Sequence, residues 1–176
     1  MTAPAPTAPV EPTLGSEVAR LAGVIGSPHF PGGDRAALRR WAPGQPVPLA
    51  FYRLWLRHLG SDLPPEHRTE AWMAIVWAIA TLGEGCHDPK RPFGQALAES
   101  GYSEGRLERL LSAPDDVRID LFMSAVRFLA AKGERFDARD AAQLLLTLDA
   151  DKREGLHRRI AAAYFRHLTQ KSKAKE

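Results

Sequence analysis

The chain of 176 residues has a single cysteine, Cys86, so it can form no internal disulfide, and a reducing compartment is its expected home. It also lacks any apolar run near the ~20 residues that a bilayer-spanning helix needs. Its greasiest stretch, Ala71–Leu82, is much shorter than that. The opening MTAPAPTAPVEPTL has neither the basic start nor the apolar middle of a secretory signal. A soluble, cytoplasmic protein with no membrane association is expected. Strand-like alternation, hairpin signals and fixed-period repeats are missing as well, which leaves an all-α fold.

Catalytic signatures are equally scarce. There is no Walker A loop, GxGxxG, HExxH, GxSxG or paired CxxC. Cys86 and His87 are neighbours in sequence, but a nucleophilic pair needs spatial adjacency and a third orienting group. Cys86 is therefore read as a loop cysteine of no special role. The six histidines never pair at i, i+4, so no metal site is expected, and no cofactor. Asp115, Asp116 and Asp120 could be imagined as nuclease acids. Helix-start placement accounts for the first two, and pairing with Arg127 for the third. No enzyme is expected.

What is present is a globular composition, 44% hydrophobic and 26% charged, with a net charge of +3. The isoelectric point near 9.2 is mildly basic, so the distribution of charge matters more than its total. Residues 1–14, rich in Pro, Ala and Thr, are expected to be a disordered leader. Ser16 is expected to cap a first helix reaching Ile25. Between Gly33 and Arg57 two segments sort apolar from basic residues. Over Asp34–Trp41, with Asp34 as N-cap, Ala37, Leu38 and Trp41 share one face while Arg35, Arg39 and Arg40 fan over the other. In the second segment Phe51, Tyr52, Trp55, Leu56 and Leu59 gather opposite Arg53 and Arg57. A helix after Pro64-Pro65 runs to Leu82, apolar all round, and should be the centre of the first subdomain.

Short helices follow over Pro92–Ser100 and after the Ser103 cap, with Leu107, Leu110 and Leu111 inward. Ser112-Ala113-Pro114 is the candidate boundary. It separates an N-terminal helical subdomain, 15–113, from a C-terminal helical bundle, 114–170, and a basic tail, 171–176. Pro114 opens a long helix that Gly133 ends. Its apolar residues, Val117 among them, leave a narrow polar strip of Asp120, Ser124 and Arg127. Asp137 caps a helix over Ala138–Leu148, and Asp149 or Asp151 starts the last, reaching about Leu168.

The remaining signal is cationic. Between Gly33 and Leu82 every basic residue is arginine and none is lysine. Arginine's planar fork suits bidentate phosphate contact better than lysine's point charge, although a GC-rich genome gives the same bias. Single basic rows, such as Arg159 and Arg166 on the last helix, are ordinarily solvated faces. No zinc finger, RNP motif or clear helix-turn-helix reads bases, so nucleic acid would be held by its backbone.

Read in order, AALRR (Ala36–Arg40), AFYRL (Ala50–Leu54), the apolar Trp72–Leu82 helix, FGQALAESG (Phe93–Gly101) and RLERLLSA (Arg106–Ala113), closed by a helical bundle, resemble the small subunit of the type I-E CRISPR Cascade complex, the CasB family. The resemblance covers residues 16–168. It implies a non-catalytic, all-helical subunit of an antiviral complex, working beside a second copy of itself and the other Cascade subunits. It further implies contacts with guide crRNA and with the target and displaced DNA strands, along a basic path that steadies the R-loop. By this resemblance Arg39 and Arg40 match a basic pair, Arg68 falls near a basic position before the central helix, Arg106 opens the RLxRLL helix, and Arg127 approximates a later basic position. With Arg35, Arg53 and Arg57 from the helical faces, these are the candidate nucleic-acid contacts. C-terminal acids (Glu134, Asp137, Asp140, Asp149, Asp151, Glu154) are candidates for docking partner subunits. Two other readings compete: a helical protein–protein adaptor, and a stand-alone DNA-binding regulator.

Overall fold

The computed structural model describes residues 12–175. The leader expected over 1–14 lies outside the described residues for all but its end, and Leu14 already belongs to a helix. Nine helices occur among the described residues: α1 Leu14–Gly26, α2 Gly32–Arg40, α3 Leu49–His58, α4 Glu66–Leu82, α5 Phe93–Glu99, α6 Glu104–Leu111, α7 Asp115–Ala131, α8 Ala138–Leu146 and α9 Ala150–Lys173. A lone parallel bridge between His87 and Phe136 is the nearest approach to sheet among them. The all-α expectation holds. None of these helices is long and apolar enough to cross a membrane.

The fold is arranged around α4. From Trp72 to Ala80 every residue is buried, so no side of this stretch of the helix faces water. Each large apolar side chain there contributes roughly 1.5–3 kcal/mol by leaving solvent. A helix of this kind needs neighbours all round, and α1, α2, α7 and α8 supply them. The core is continuous across the Ser112–Pro114 break, since α7 and α8 pack directly on α4. A second close pairing joins α5 to α9. Gly94 permits it: a Cβ there would overlap the carbonyl oxygen of Ile160 and lie 3.1 Å from the Tyr164 nitrogen. The Tyr164 hydroxyl donates to the Tyr102 carbonyl at 2.6 Å, locking the far end of the same contact.

Several caps lie where expected. Ser103, Asp137 and Asp149 each accept a backbone N–H of the first turn, and Pro114 precedes α7. Others differ. Thr13 caps α1, taking the Ser16 N–H, so Ser16 sits inside the first turn. Helix α2 begins at Gly32 behind Pro31, and Asp34 pairs with Arg53 at 2.6 Å instead of capping. Helix α8 stops at Leu146, and α9 continues through Lys173, into the Lys-rich tail. Leu56 is half exposed, because Ala50, Phe51, Leu54 and Trp55 form the inner face of α3. Val117 likewise points outward and Arg118 inward.

Three arginines are fastened inside the fold. Arg35, read from sequence as a phosphate contact, turns back on the α1–α2 loop. Its Nη2 donates to the Ile25 carbonyl at 2.9 Å and to Ser27 at 2.8 Å, with the Phe30 ring 5.6 Å away. Carbonyls of a helix's last turn and of its C-cap lack intrahelical donors, and Arg35 supplies them to Ile25 and Ser27. Arg91 reaches Glu99, Glu134 and the Arg135 carbonyl, binding α5 to the α7–α8 turn. Arg118 is buried, donating to Asp115 and the Ala113 carbonyl at 2.5 Å each, while Arg153 meets the same Asp115 at 3.1 Å.

Gly94→Ala should lower stability by about 3 kcal/mol, the upper range for overpacking against backbone; an unchanged denaturant midpoint would show that α5 and α9 can part without loss. Arg35→Ala should lower it by about 1.5–3 kcal/mol through lost charged hydrogen bonds, measured the same way. Burial pushes the Glu99 carboxyl up, but hydrogen bonds from Gln95 and Arg91 and the charge of Arg91 outweigh it, so its pKa ends below the ordinary value. The stability it contributes is therefore full above the unfolded value (~4.3) and lost as pH falls through the lower folded value. Glu99→Gln should flatten that acid limb in a pH series of unfolding curves.

Candidate nucleic-acid interface

Arg39 and Arg40 stand exposed in the last turn of α2, where cations suit the helix dipole. The carbonyl of Arg39 accepts the indole N–H of Trp77 at 3.1 Å. Trp77 is a core residue of α4, yet its ring also lies 5.1 Å from the Arg127 guanidinium on α7. One indole thus touches the backbone of Arg39 and the guanidinium of Arg127, residues 88 positions apart in the sequence. Beside Arg127, the Phe128 ring lies 5.9 Å from Arg106 and 5.3 Å from the Lys132 ammonium. Arg106 is also 5.9 Å from Tyr102. Arg106 and Arg109 flank a small hollow lined by Tyr102, Leu121, Ser124 and Phe128. Burial pushes the Tyr102 phenol up, against the opposing pull of these two arginines.

Arg39, Arg40, Arg106, Arg109, Arg127 and Lys132 make no ion pair among the described residues. The expected Asp120–Arg127 pair does not form; the arginine lies over Trp77 instead. Contact between cation and ring is worth ~0.5–1 kcal/mol at an exposed site. It orients the guanidinium without neutralising it. The result is a run of cations with full charge, each backed by an aromatic or by a helix end.

The other candidates lie elsewhere. Arg53 and Arg57 line a groove with Gly23, His29, Phe30 and Asp34, and Arg53 is already paired with Asp34. Arg68 is exposed on the first turn of α4, nine positions before Trp77, or ~13.5 Å along the axis. Arg35 is committed to the fold. Among the acids proposed for docking, Glu134, Asp137, Asp140 and Asp149 are engaged internally: Glu134 on Arg91, Asp137 and Asp149 as caps, Asp140 on the Phe93 N–H. Asp151 and Glu154 remain exposed.

Sequence reasoning left Arg109, Lys132 and Trp77 out of the site. Arg109 had a signal, three residues after Arg106 on one helix. Lys132 follows Phe128 by four residues, one helical turn. Trp77 gave none, since a buried tryptophan reads as core from sequence and only the folded neighbours show its edge and face. No three His, Cys, Asp or Glu side chains among the described residues gather as metal ligands. Burial pushes the Cys86 thiol up to about 11, so it stays protonated near neutrality.

Residues 34–165 match the family described as CRISPR-associated protein Cse2. No curated protein matches the chain. The fold is similar to the crystal structure of M. ruber CasB, with a TM-score of 0.70 at 15% identity, covering 94% of this chain and 100% of that one. The matched span runs from within α2 to within α9, taking in the central helix, the α5–α9 contact and the arginine-bearing turns. This chain belongs to the CRISPR-associated Cse2 (CasB) family, the small subunit of the type I-E Cascade complex.

Proposed function

We propose that this subunit is non-catalytic and acts in the cytoplasm, holding the sugar–phosphate chains of guide RNA and target DNA and steadying the R-loop and its displaced strand. The observation that carries the reading is a set of six cations without ion pairs among the described residues: Arg127 over Trp77, Arg106 and Lys132 over Phe128, and Arg39, Arg40 and Arg109 in the last turns of α2 and α6. Phosphates meeting such a face gain charge-assisted hydrogen bonds without breaking ion pairs. Opening an R-loop exchanges a DNA duplex for a hybrid of similar stability, so backbone contacts of modest strength can tip it. Arg53, Arg57 and Arg68 are secondary contacts in this proposal, on surfaces of their own. The partners are other Cascade subunits and a second copy of the chain.

A helical adaptor is the second reading, and α9 favours it. Phe165 is 42% exposed beside a groove lined by Leu107, Leu111 and Ala161 and by charges of both signs, Glu104, Glu108, Glu154 and Arg153, a surface with the mixed apolar and charged character of a protein contact. The two readings use different side chains, though both draw on α6, and are compatible within one assembly.

The double variant Arg39→Ala/Arg40→Ala should weaken single-stranded DNA binding about tenfold near 0.1 M salt. It should also reduce the slope of log K against log salt by about 1.4, at ~0.7 per phosphate contact. Fluorescence anisotropy across a salt series measures both. Unchanged affinity and slope would remove this face from the proposal, whereas binding to a protein partner that survives the variant would favour the adaptor.

A further inference from the structure

We infer that the hollow between α6 and α7 is a receptor for one unstacked nucleobase, so that this face takes hold of single-stranded nucleic acid by a base as well as by phosphates. The inference rests on the cationic reading above and adds a ligand part to it. The lining has two chemistries in separate places. Tyr102, Leu121 and Phe128 form an apolar floor, with the two rings 5.3 Å apart and edge to face. Arg106 and Arg109 stand at the rim, joined by Lys132 over Phe128. Ser124, exposed on the polar strip of α7, provides a hydroxyl that can donate or accept.

A phosphate alone has no use for an apolar floor, and an acidic peptide presents a flat face only where an aromatic residue adjoins its carboxylates. A nucleotide has both parts: a planar π surface for the rings and an anion for the rim. Every base has such a face, so the hollow would be tolerant of sequence. Arg106 is the movable wall. It is exposed, makes no side-chain hydrogen bond among the described residues, and lies 5.9 Å from each ring. Swinging outward, its guanidinium can cover the second face of an entering base, as arginine planes do in single-strand recognition. A paired, stacked base in a duplex cannot enter. The hollow therefore favours a displaced or splayed strand over duplex.

The test compares two single-stranded oligonucleotides of equal length, one with ordinary bases and one abasic throughout, against the full chain at fixed salt. The ordinary strand should bind about fivefold tighter or more, the least expected for one stacked base. A 2-aminopurine in it should change fluorescence on binding. Ser124→Leu, at an exposed position safe for folding, should erase the difference while leaving abasic affinity intact; Phe128→Leu should erase it too, while weakening both strands through loss of the ring behind Arg106 and Lys132. Arg39→Ala/Arg40→Ala should weaken both strands equally and preserve the ratio. Equal wild-type affinity for both strands overturns the base receptor and leaves the phosphate reading standing. Failure to bind either strand overturns both. Variants that retain the full wild-type preference also overturn the receptor.

Discussion

A helix without a polar side is the constraint behind this architecture. Because α4 buries everything from Trp72 to Ala80, water must be kept from it on all sides. The helices that enclose it can each turn one face inward and must turn another outward. Arg39 and Arg40 of α2 and Arg127 of α7 follow from that division. They occupy outer faces because the inner ones are committed to α4, whereas Arg35 and Arg118 are drawn inward by backbone carbonyls. Trp77 is the exception that links the two regions: its ring is core, while its N–H and one face reach the arginine layer.

That link gives the cationic face a property that loose surface arginines lack. Long side chains normally keep much rotamer freedom, which is lost when they grip a ligand. Here Arg127 is held near an indole and Arg106 and Lys132 near a phenyl ring. Fixing them in advance leaves less to lose on binding, without a carboxylate to compete for the guanidinium. Arg53 illustrates the contrast, since Asp34 already occupies one of its donors.

Fold class and most helix starts were legible because they depend on local chemistry. Proline before α7, serine before α6 and aspartate before α8 and α9 work within one turn. Features that depend on tertiary neighbours were less legible. Asp34 has the right chemistry for a cap, but Arg53 from the next helix takes it. Leu56 and Val117 fit an apolar period, yet no helix lies opposite them. Arg35 looks identical in sequence to Arg39 one turn later. The α1–α2 loop, with carbonyls in need of donors, lies within reach of one and not the other. The candidate face was half visible for the same reason: its arginines could be named, but their meeting around Trp77 is a product of packing α2, α4 and α7 together.

The lack of an ion pair, among the described residues, on any of those six cations has an energetic corollary. Like charges held on one surface repel each other, and no carboxylate at ion-pair distance offsets that repulsion while the chain is alone. A polyanion laid across them removes the repulsion and, by linkage, deepens the folded well of the protein that holds it. On the proposed reading, the subunit is least stable before assembly and gains stability from the nucleic acid it holds.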